Sequence, residues 1–171
     1  LHARKELITG IPTGFEKIDY MTSGFQAGDL VILAARPGLG KTSFALNIAY
    51  HAAINDNKTV GIFSLEMTKE QLMLRMFSNK SKVNYSSIRS GYIQDGDLEK
   101  LVHAADELGQ AKIFIDDTPA ISVMEIRAKA RRLQKDKGLD LIIVDYLQLM
   151  RGSRKSESRE REIAEISGSL K

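Results

Sequence analysis

The sequence has no cysteine, no tryptophan and only three histidines among its 171 residues. The absence of cysteine excludes disulfide bridges and metal sites built from thiolates. The histidines, His2, His51 and His103, lie far apart in the chain and show no metal-ligand spacing. A disulfide framework and a thiolate metal centre are therefore excluded.

Long apolar runs are also missing. None approaches the ~20 residues that a helix needs to cross a bilayer. The opening residues, LHARKELITG, have neither the pattern of a signal peptide nor that of a transit peptide. We therefore expect a cytoplasmic protein that makes no membrane contact. The sequence does not begin with methionine, so we also expect it to be cut from a longer protein.

Neither sign of charge dominates the composition. Lys and Arg number 25 and Asp and Glu number 22, which gives a net charge of +3. This balance permits a polyanionic partner but does not argue for one. Hydrophobic residues make up 43% and charged residues 27%, which are ordinary values for a globular protein. The length fits one domain, or one domain and a fragment.

Short apolar runs alternate with helical patterns along the chain. Strands are predicted over 29–35, 59–65 and 112–116, and within 140–150. Helices are predicted over 42–55, from a capping box at Thr68 and Gln71 to 79, over 97–108, and from a second box at Ser122 and Glu125 to 137. This alternation predicts a parallel sheet with helices on its faces. Residues 1–28 form a lead-in that we expect to pack on the sheet edge or on a neighbour.

One stretch, ARPGLGKT at 35–42, has the pattern of a phosphate-binding loop between a strand and a helix. Gly38 and Gly40 allow the backbone N–H groups to form an anion-binding nest, and the helix adds its positive end. Lys41 would neutralise the β- and γ-phosphates, and the Thr42 hydroxyl would hold Mg²⁺. The predicted nucleotide-binding residues are Arg36, Pro37, Gly38, Leu39, Gly40, Lys41, Thr42, Ser43 and Asp145.

Ala35 stands where the usual pattern has its first glycine. A methyl group is tolerable there if φ stays negative, because the curl of the loop depends on the later glycines. The alternative is a chance Gly-Lys-Thr turn, which the flanking strand and helix disfavour.

Two acidic residues end predicted strands. Asp145 closes LIIVD, the pattern of the Walker B acid that lies near Mg²⁺. Glu66 follows IFSL at the end of the second strand. The carboxyl ends of parallel strands gather at one rim, so Lys41, Glu66 and Asp145 would meet if these strands are neighbours. Glu66 would then deprotonate the attacking water; from local sequence alone, a solvated acid near a helix start is an equal alternative.

Four segments together resemble the C-terminal motor domain of DnaB-type replicative DNA helicases. They are GIPTGFEKIDYMTSGFQAGDLVILAARPGLGKTSFALNIA, SLEM, LIIVDYLQLM and EIAEISGSLK, in the order and with spacings similar to those of the family. The resemblance implies a RecA-like P-loop NTPase fold, an α/β fold with a mostly parallel central sheet, helices on both faces and the C-terminal strands missing. It also implies a division into a lead-in after an interdomain linker, 1–28, and a truncated RecA-like ATPase core, 29–171. ARP before the loop is common in this family, so Ala35 is no departure.

The resemblance further implies an activity. It implies a homo-hexameric ring that hydrolyses ATP or another NTP with Mg²⁺, translocates on single-stranded DNA, unwinds duplex DNA during replication, and has primase and a helicase loader as partners. By the resemblance, Lys41 and Thr42 bind phosphate and metal, Glu66 is the catalytic base, and Asp145 holds Mg²⁺ through water. The family's sensor glutamine, main DNA loop and arginine finger come later than this chain, so the piece alone is expected to be nearly inactive.

Other matches and basic segments carry weaker predictions. Arg75 matches a family arginine near the site, with a structural ion pair as an equal alternative, and Gln148 matches as structural support. The loop 151–162 has five basic and three acidic residues and no aromatic. A mobile solvated loop is its main alternative to DNA binding, for which the candidates are Arg151, Arg154 and Lys155. The basic helix stretch 127–137, with Lys129, Arg132 and Asp136 on one side, is typical of an exposed helix face, and nucleic-acid contact is its lesser alternative.

Two other functions remain open from the sequence. A recombinase shares the outline of the GIPTGFEKIDYM lead-in and builds an open filament on DNA, although DYLQLM favours the helicase. A nucleotide-switched assembly or loading protein would bind ATP to gate its partners. A small-molecule kinase is disfavoured because the sequence shows no lid or acceptor pocket.

Overall fold

Three parallel strands and six helices make up the part of the chain that the structure describes. The structure is a computed structural model, and it describes residues 8–146 and Gly168. In chain order the elements are α1 (Glu16–Thr22), α2 (Lys41–Asn55), β1 (Val60–Ser64), α3 (Lys69–Ser81), α4 (Tyr85–Ser90), α5 (Asp97–Gln110), β2 (Ile113–Asp116), α6 (Val123–Lys137) and β3 (Leu141–Asp145).

The sheet has the order β2-β1-β3, and both pairings are parallel. Val60 is level with Ile113 on one side and Leu141 on the other, and Ser64 is level with Asp145. β1 is buried along its whole length because it is the central strand. The three strands predicted within 59–65, 112–116 and 140–150 are therefore confirmed.

Helices cover both faces of the sheet, as predicted. Val60 and Ile62 point into a core cluster with side chains of α2, α3 and α5, among them Leu46, Leu72 and Leu108. Alternate residues of a strand point to opposite faces, so Phe63 joins a second cluster with Ile121, Ile126 and Ala130 near and within α6. Fully buried alanines at 49 and 52 allow α2 to pack closely on the sheet.

Local capping signals located the helices well. Thr68 accepts a hydrogen bond from the Gln71 backbone and Ser122 accepts one from Glu125, and both capping boxes are complete. The helices α1 and α4 were not predicted because seven and six residues are too short to show periodicity. Only Asn84, whose side chain caps α4, and the Gly91 that ends it gave a local signal.

The predicted strand 29–35 is wrong. Residues 29–36 have no regular secondary structure, and the apolar side chains of 30–33 are 39% to 60% exposed. A strand requires a neighbour for its backbone hydrogen bonds, and the described sheet consists of β2, β1 and β3 without this run. No described strand pairs with this run. Composition alone therefore indicated a strand that forms no pairing with the described residues.

The described part of the lead-in, from residue 8, contacts α2. Ile11 and Phe25 form an isolated antiparallel bridge. The buried Asp19 accepts hydrogen bonds from the backbone and hydroxyl of Thr13, both at 2.7 Å. This fold of the chain stacks the Phe15 ring on Phe44 of α2, with centroids 4.6 Å apart.

A network of polar side chains ties three helices together behind the sheet. Glu107 of α5 accepts a hydrogen bond from the Tyr50 hydroxyl of α2 at 2.7 Å and pairs with Lys80 of α3 at 2.5 Å. The hydrogen bonds from Lys80 and Tyr50 lower the pKa of Glu107 below its ordinary value. In the described part of the chain, no helix has the length and hydropathy needed to span a bilayer.

Replacing Gly14 by alanine is expected to lower the free energy of unfolding by about 1–3 kcal/mol. Gly14 has φ +82°, and an added Cβ would lie 2.6 Å from the His51 ring of α2. The matched control is Gly109→Ala within α5, where no atom lies within 4 Å of the added Cβ. That change is expected to raise stability by up to about 1 kcal/mol. Urea unfolding of both variants measures the difference, and equal stabilities would contradict the packing of the lead-in on α2.

Candidate active site

The loop before α2 exposes backbone N–H groups at a helix start. Gly38 and Gly40 have φ of +80° and +84°, which other residues rarely adopt, and open space surrounds both. Gly40 is the N-cap of α2, and no side chain caps this helix. Its first N–H groups and the positive end of its dipole are therefore available to an anion. Ala35 is not among the described residues with positive φ, as its methyl group requires.

The first residues of α2 contact the last residue of β3. Lys41 Nζ lies 2.8 Å from Asp145 Oδ1, and the Thr42 hydroxyl donates to Asp145 Oδ2 at 2.6 Å. Asp145 is buried, and Lys41 lies over the Tyr146 ring at 4.2 Å from its centroid. One carboxylate therefore joins the lysine and the hydroxyl of the loop.

The oxygens at this point suit Mg²⁺. A hydroxyl oxygen and a carboxylate oxygen, those of Thr42 and Asp145, are 2.6 Å apart. Mg²⁺ takes one or two protein oxygens and completes its shell with water and phosphate. The described residues contain no group of three or more His, Cys, Asp or Glu side chains that could hold a metal by themselves. The donor set therefore fits a metal that arrives with a phosphate ligand.

Glu66 lies in the turn that follows β1, beside the end of β3. The Leu65 N–H donates to the Asp145 carbonyl at 2.8 Å, which places the turn directly against Asp145. Glu66 is exposed, and its carboxylate has no hydrogen bond or ion pair with another described residue. β1 and β3 are neighbours, so Lys41 contacts Asp145 and the turn that contains Glu66 lies at the same end of the sheet.

A comparison with known protein families shows to which family the chain belongs. The sequence model of the DnaB-like helicase C terminal domain matches residues 10–171. The chain belongs to this family. Membership implies nucleotide binding and agrees with the loop and the Asp145 contacts described above. It also confirms the resemblance that the four sequence segments indicated.

Curated relatives match this DnaB-like domain along its length. It is 53% identical to the replicative DNA helicase DnaB of Geobacillus stearothermophilus over 172 aligned residues, which cover 100% of the chain and 38% of the relative. It is 52% identical to the replicative DNA helicase DnaC of Bacillus subtilis, with the same coverage. The chain thus spans well under half the length of these relatives.

Solved structures confirm the RecA-like α/β fold of the domain. A DnaB-like replicative helicase, whose structure was described with its interactions with primase, superposes with a TM-score of 0.90 at 33% identity, covering 99% of this chain and 41% of the other. An ATPase domain superposes with a TM-score of 0.91, also at 33% identity, covering 99% of this chain and 61% of the other.

Arg75 of the DnaB-like domain has a cation–π contact and no ion pair with a described residue. Its guanidinium lies 5.3 Å from the centroid of the Tyr85 ring. Arg75 and Tyr85 line a shallow groove that also includes Ser43, in the first turn of α2. A structural ion pair of Arg75 and a role of Arg75 near the nucleotide both stay predictions.

Two basic residues of helix α6 form ion pairs within the described part of the domain. Lys129 pairs with Asp116 at 2.5 Å and donates to the Thr118 hydroxyl at 2.8 Å. Burial alone would raise the pKa of Asp116, but the hydrogen bonds from Lys129 and Thr118 outweigh it and lower that pKa. Arg132 lies 3.8 Å from Asp136 on the same helix. These contacts favour the interpretation of α6 as an exposed helix face.

The other candidates, Gln148, Arg151, Arg154 and Lys155, lie outside the described residues.

Sequence reasoning missed two residues that support the site. Tyr146 supplies the ring under Lys41, and its only signal was its place directly after Asp145. Asp117 follows β2 and accepts a hydrogen bond from the Lys69 N–H at the start of α3 at 3.0 Å. No motif marks Asp117, because its partner is a backbone group 48 residues away.

Proposed function

We propose that this domain is the ATP-hydrolysing motor of a ring-shaped replicative DNA helicase. The whole protein is a homo-hexamer that translocates on single-stranded DNA and unwinds duplex DNA during replication. The observation that carries the proposal is the contact of Lys41 and Thr42 with Asp145 at an uncapped helix start. The names of the curated relatives support it.

The proposed roles follow from the contacts of each residue. The backbone of residues 36–43 and the Lys41 ammonium bind the phosphates. Thr42 holds Mg²⁺ directly and Asp145 holds it through water. Bound Mg²⁺ would supply positive charge that stabilises the phosphate oxygens as the bond breaks. Glu66 takes the proton of the attacking water, because its carboxylate is exposed beside Asp145 and engaged by no other described residue.

The remaining proposals concern the bounds of the domain, its place in the cell and the partners of the whole protein. Residues 1–28 are the lead-in after an interdomain linker, and 29–171 belong to the ATPase core. The whole protein works in the cytoplasm with primase and a helicase loader. The solved DnaB-like helicase that was described with primase supports the first of these partners.

The test is the ATPase and unwinding activity of the whole protein. We expect single-stranded DNA to stimulate ATP hydrolysis steeply and a forked duplex to be separated in an ATP-dependent reaction. Nucleotide binding without strand separation would favour a nucleotide-switched assembly protein. Filaments on DNA with no separation would favour a recombinase. Either result would contradict the proposed motor.

A further inference from the structure

The turn between β1 and α3 sets the position of Glu66 through its backbone. The turn has three central residues, Leu65 to Met67, with Glu66 in the middle. The Glu66 carboxylate has no partner among the described residues, so no described side chain holds it. The place of the carboxylate therefore depends on how firmly the two ends of the turn are fixed.

The buried hydroxyl of Ser64 closes this turn. It donates to the Met67 carbonyl at 2.6 Å, and the Met67 N–H donates back to it at 3.2 Å. Ser64 is 2% exposed, so water does not replace these bonds. One side chain thus binds both backbone polar groups of the residue that follows Glu66.

The other contacts of the turn also join it to the carboxyl ends of the neighbouring strands. Leu65, on the near side of Glu66, donates its N–H to the Asp145 carbonyl at 2.8 Å. On the far side, Lys69 N–H donates to Asp117 at 3.0 Å and fixes the start of α3. Ser64 is also the register partner of Asp145. The Ser64 hydroxyl therefore holds Met67, the residue after Glu66, next to the part of the sheet where Asp145 lies.

We propose that Ser64 is a positioning residue for Glu66 in the hydrolysis of ATP. This inference rests on the proposed function, because Ser64 matters for the rate only if Glu66 acts on the attacking water. Without the hydroxyl, the Met67 end of the turn loses both of its bonds and the carboxylate loses its fixed place. A displacement of about 1 Å at a reacting group costs about 100-fold in rate.

The experiment is Ser64→Ala in the whole protein, with ATPase kinetics in the presence of single-stranded DNA. We expect kcat to fall by about 10- to 100-fold while the KM for ATP changes less than about twofold. The matched control is Ser81→Ala at the end of α3. The Ser81 hydroxyl also makes one bond of each kind. It donates to the Phe77 carbonyl at 2.7 Å and accepts from the Val83 N–H at 3.2 Å. The control should keep the wild-type kcat, and an equal loss in the control would overturn the proposal.

A double-mutant cycle with Glu66→Gln separates positioning from a general structural effect. If Ser64 acts through Glu66, Ser64→Ala should change the residual rate of Glu66→Gln by less than about twofold. An undiminished loss in that background would overturn the inference. Wild-type turnover of Glu66→Gln alone would instead overturn the proposed role of Glu66. Loss of turnover in Glu66→Gln with wild-type kcat in Ser64→Ala would overturn the inference and leave that role intact.

A second variant covers the case in which Ser64→Ala does not fold. Ser64→Cys has nearly the same shape, and its thiol is a weaker hydrogen-bonding group. We expect the folded cysteine variant to lose kcat with little change in KM. A wild-type kcat in this variant would count against the proposal.

Discussion

Replacing Glu66 by glutamine is expected to lower the DNA-stimulated kcat of the whole protein by about 10²–10⁴-fold. Glutamine has the shape of glutamate but no basic oxygen, so the attacking water keeps its proton. ATP binding should stay close to wild type, because Lys41, Thr42 and Asp145 keep their mutual contacts. Steady-state ATPase rates and nucleotide titration measure the two quantities separately.

The matched control for this change is Glu70→Gln. Glu70 is an exposed acid in the first turn of α3, four residues beyond Glu66. Its replacement removes the same charge only four residues further along the chain, so it tests whether charge alone matters. We expect near-normal kcat in the control. Near-normal kcat in Glu66→Gln would assign the base to another residue.

Replacing Lys41 by alanine is expected to impair both ATP binding and stability. Loss of a charged hydrogen-bond donor at the phosphates should weaken ATP binding by about 10- to 100-fold. Loss of a preorganised cation should lower hydrolysis by about 10²–10³-fold. Among residues 8–146, the change also leaves buried Asp145 with Thr42 as its remaining side-chain donor, which should cost about 1–3 kcal/mol in the free energy of unfolding.

Lys100→Ala is the control for the loss of an ion pair. Lys100 lies 2.8 Å from Asp97, the same separation as between Lys41 and Asp145, but its side chain is 59% exposed against 27% for Lys41. An exposed pair contributes about 0–1 kcal/mol. We expect the control to bind ATP normally and to unfold within about 1 kcal/mol of wild type. Normal ATP affinity in Lys41→Ala would contradict the assignment of the phosphate site.

Much of the site was predictable because its signals are local. The loop motif located Lys41 and Thr42, and the rule that parallel strands end at one rim brought them to Asp145. The absence of a strand at 29–35 was not predictable, because composition does not reveal whether an apolar run finds a partner strand. The support of Glu66 by Ser64 was missed for a similar reason. The hydroxyl binds backbone groups, and no residue pattern records such bonds.

Asp145 contacts both Lys41 and Thr42, so the binding of one charged ligand at this rim affects the binding of another. Asp145 is already the counter-ion of Lys41, so a phosphate that binds the lysine displaces a carboxylate. Of its described side-chain partners, that buried carboxylate then keeps the Thr42 hydroxyl, and it needs another cation nearby. A divalent cation beside the phosphates restores the balance. Nucleotide and metal should therefore bind with positive cooperativity, each weaker alone than in the presence of the other.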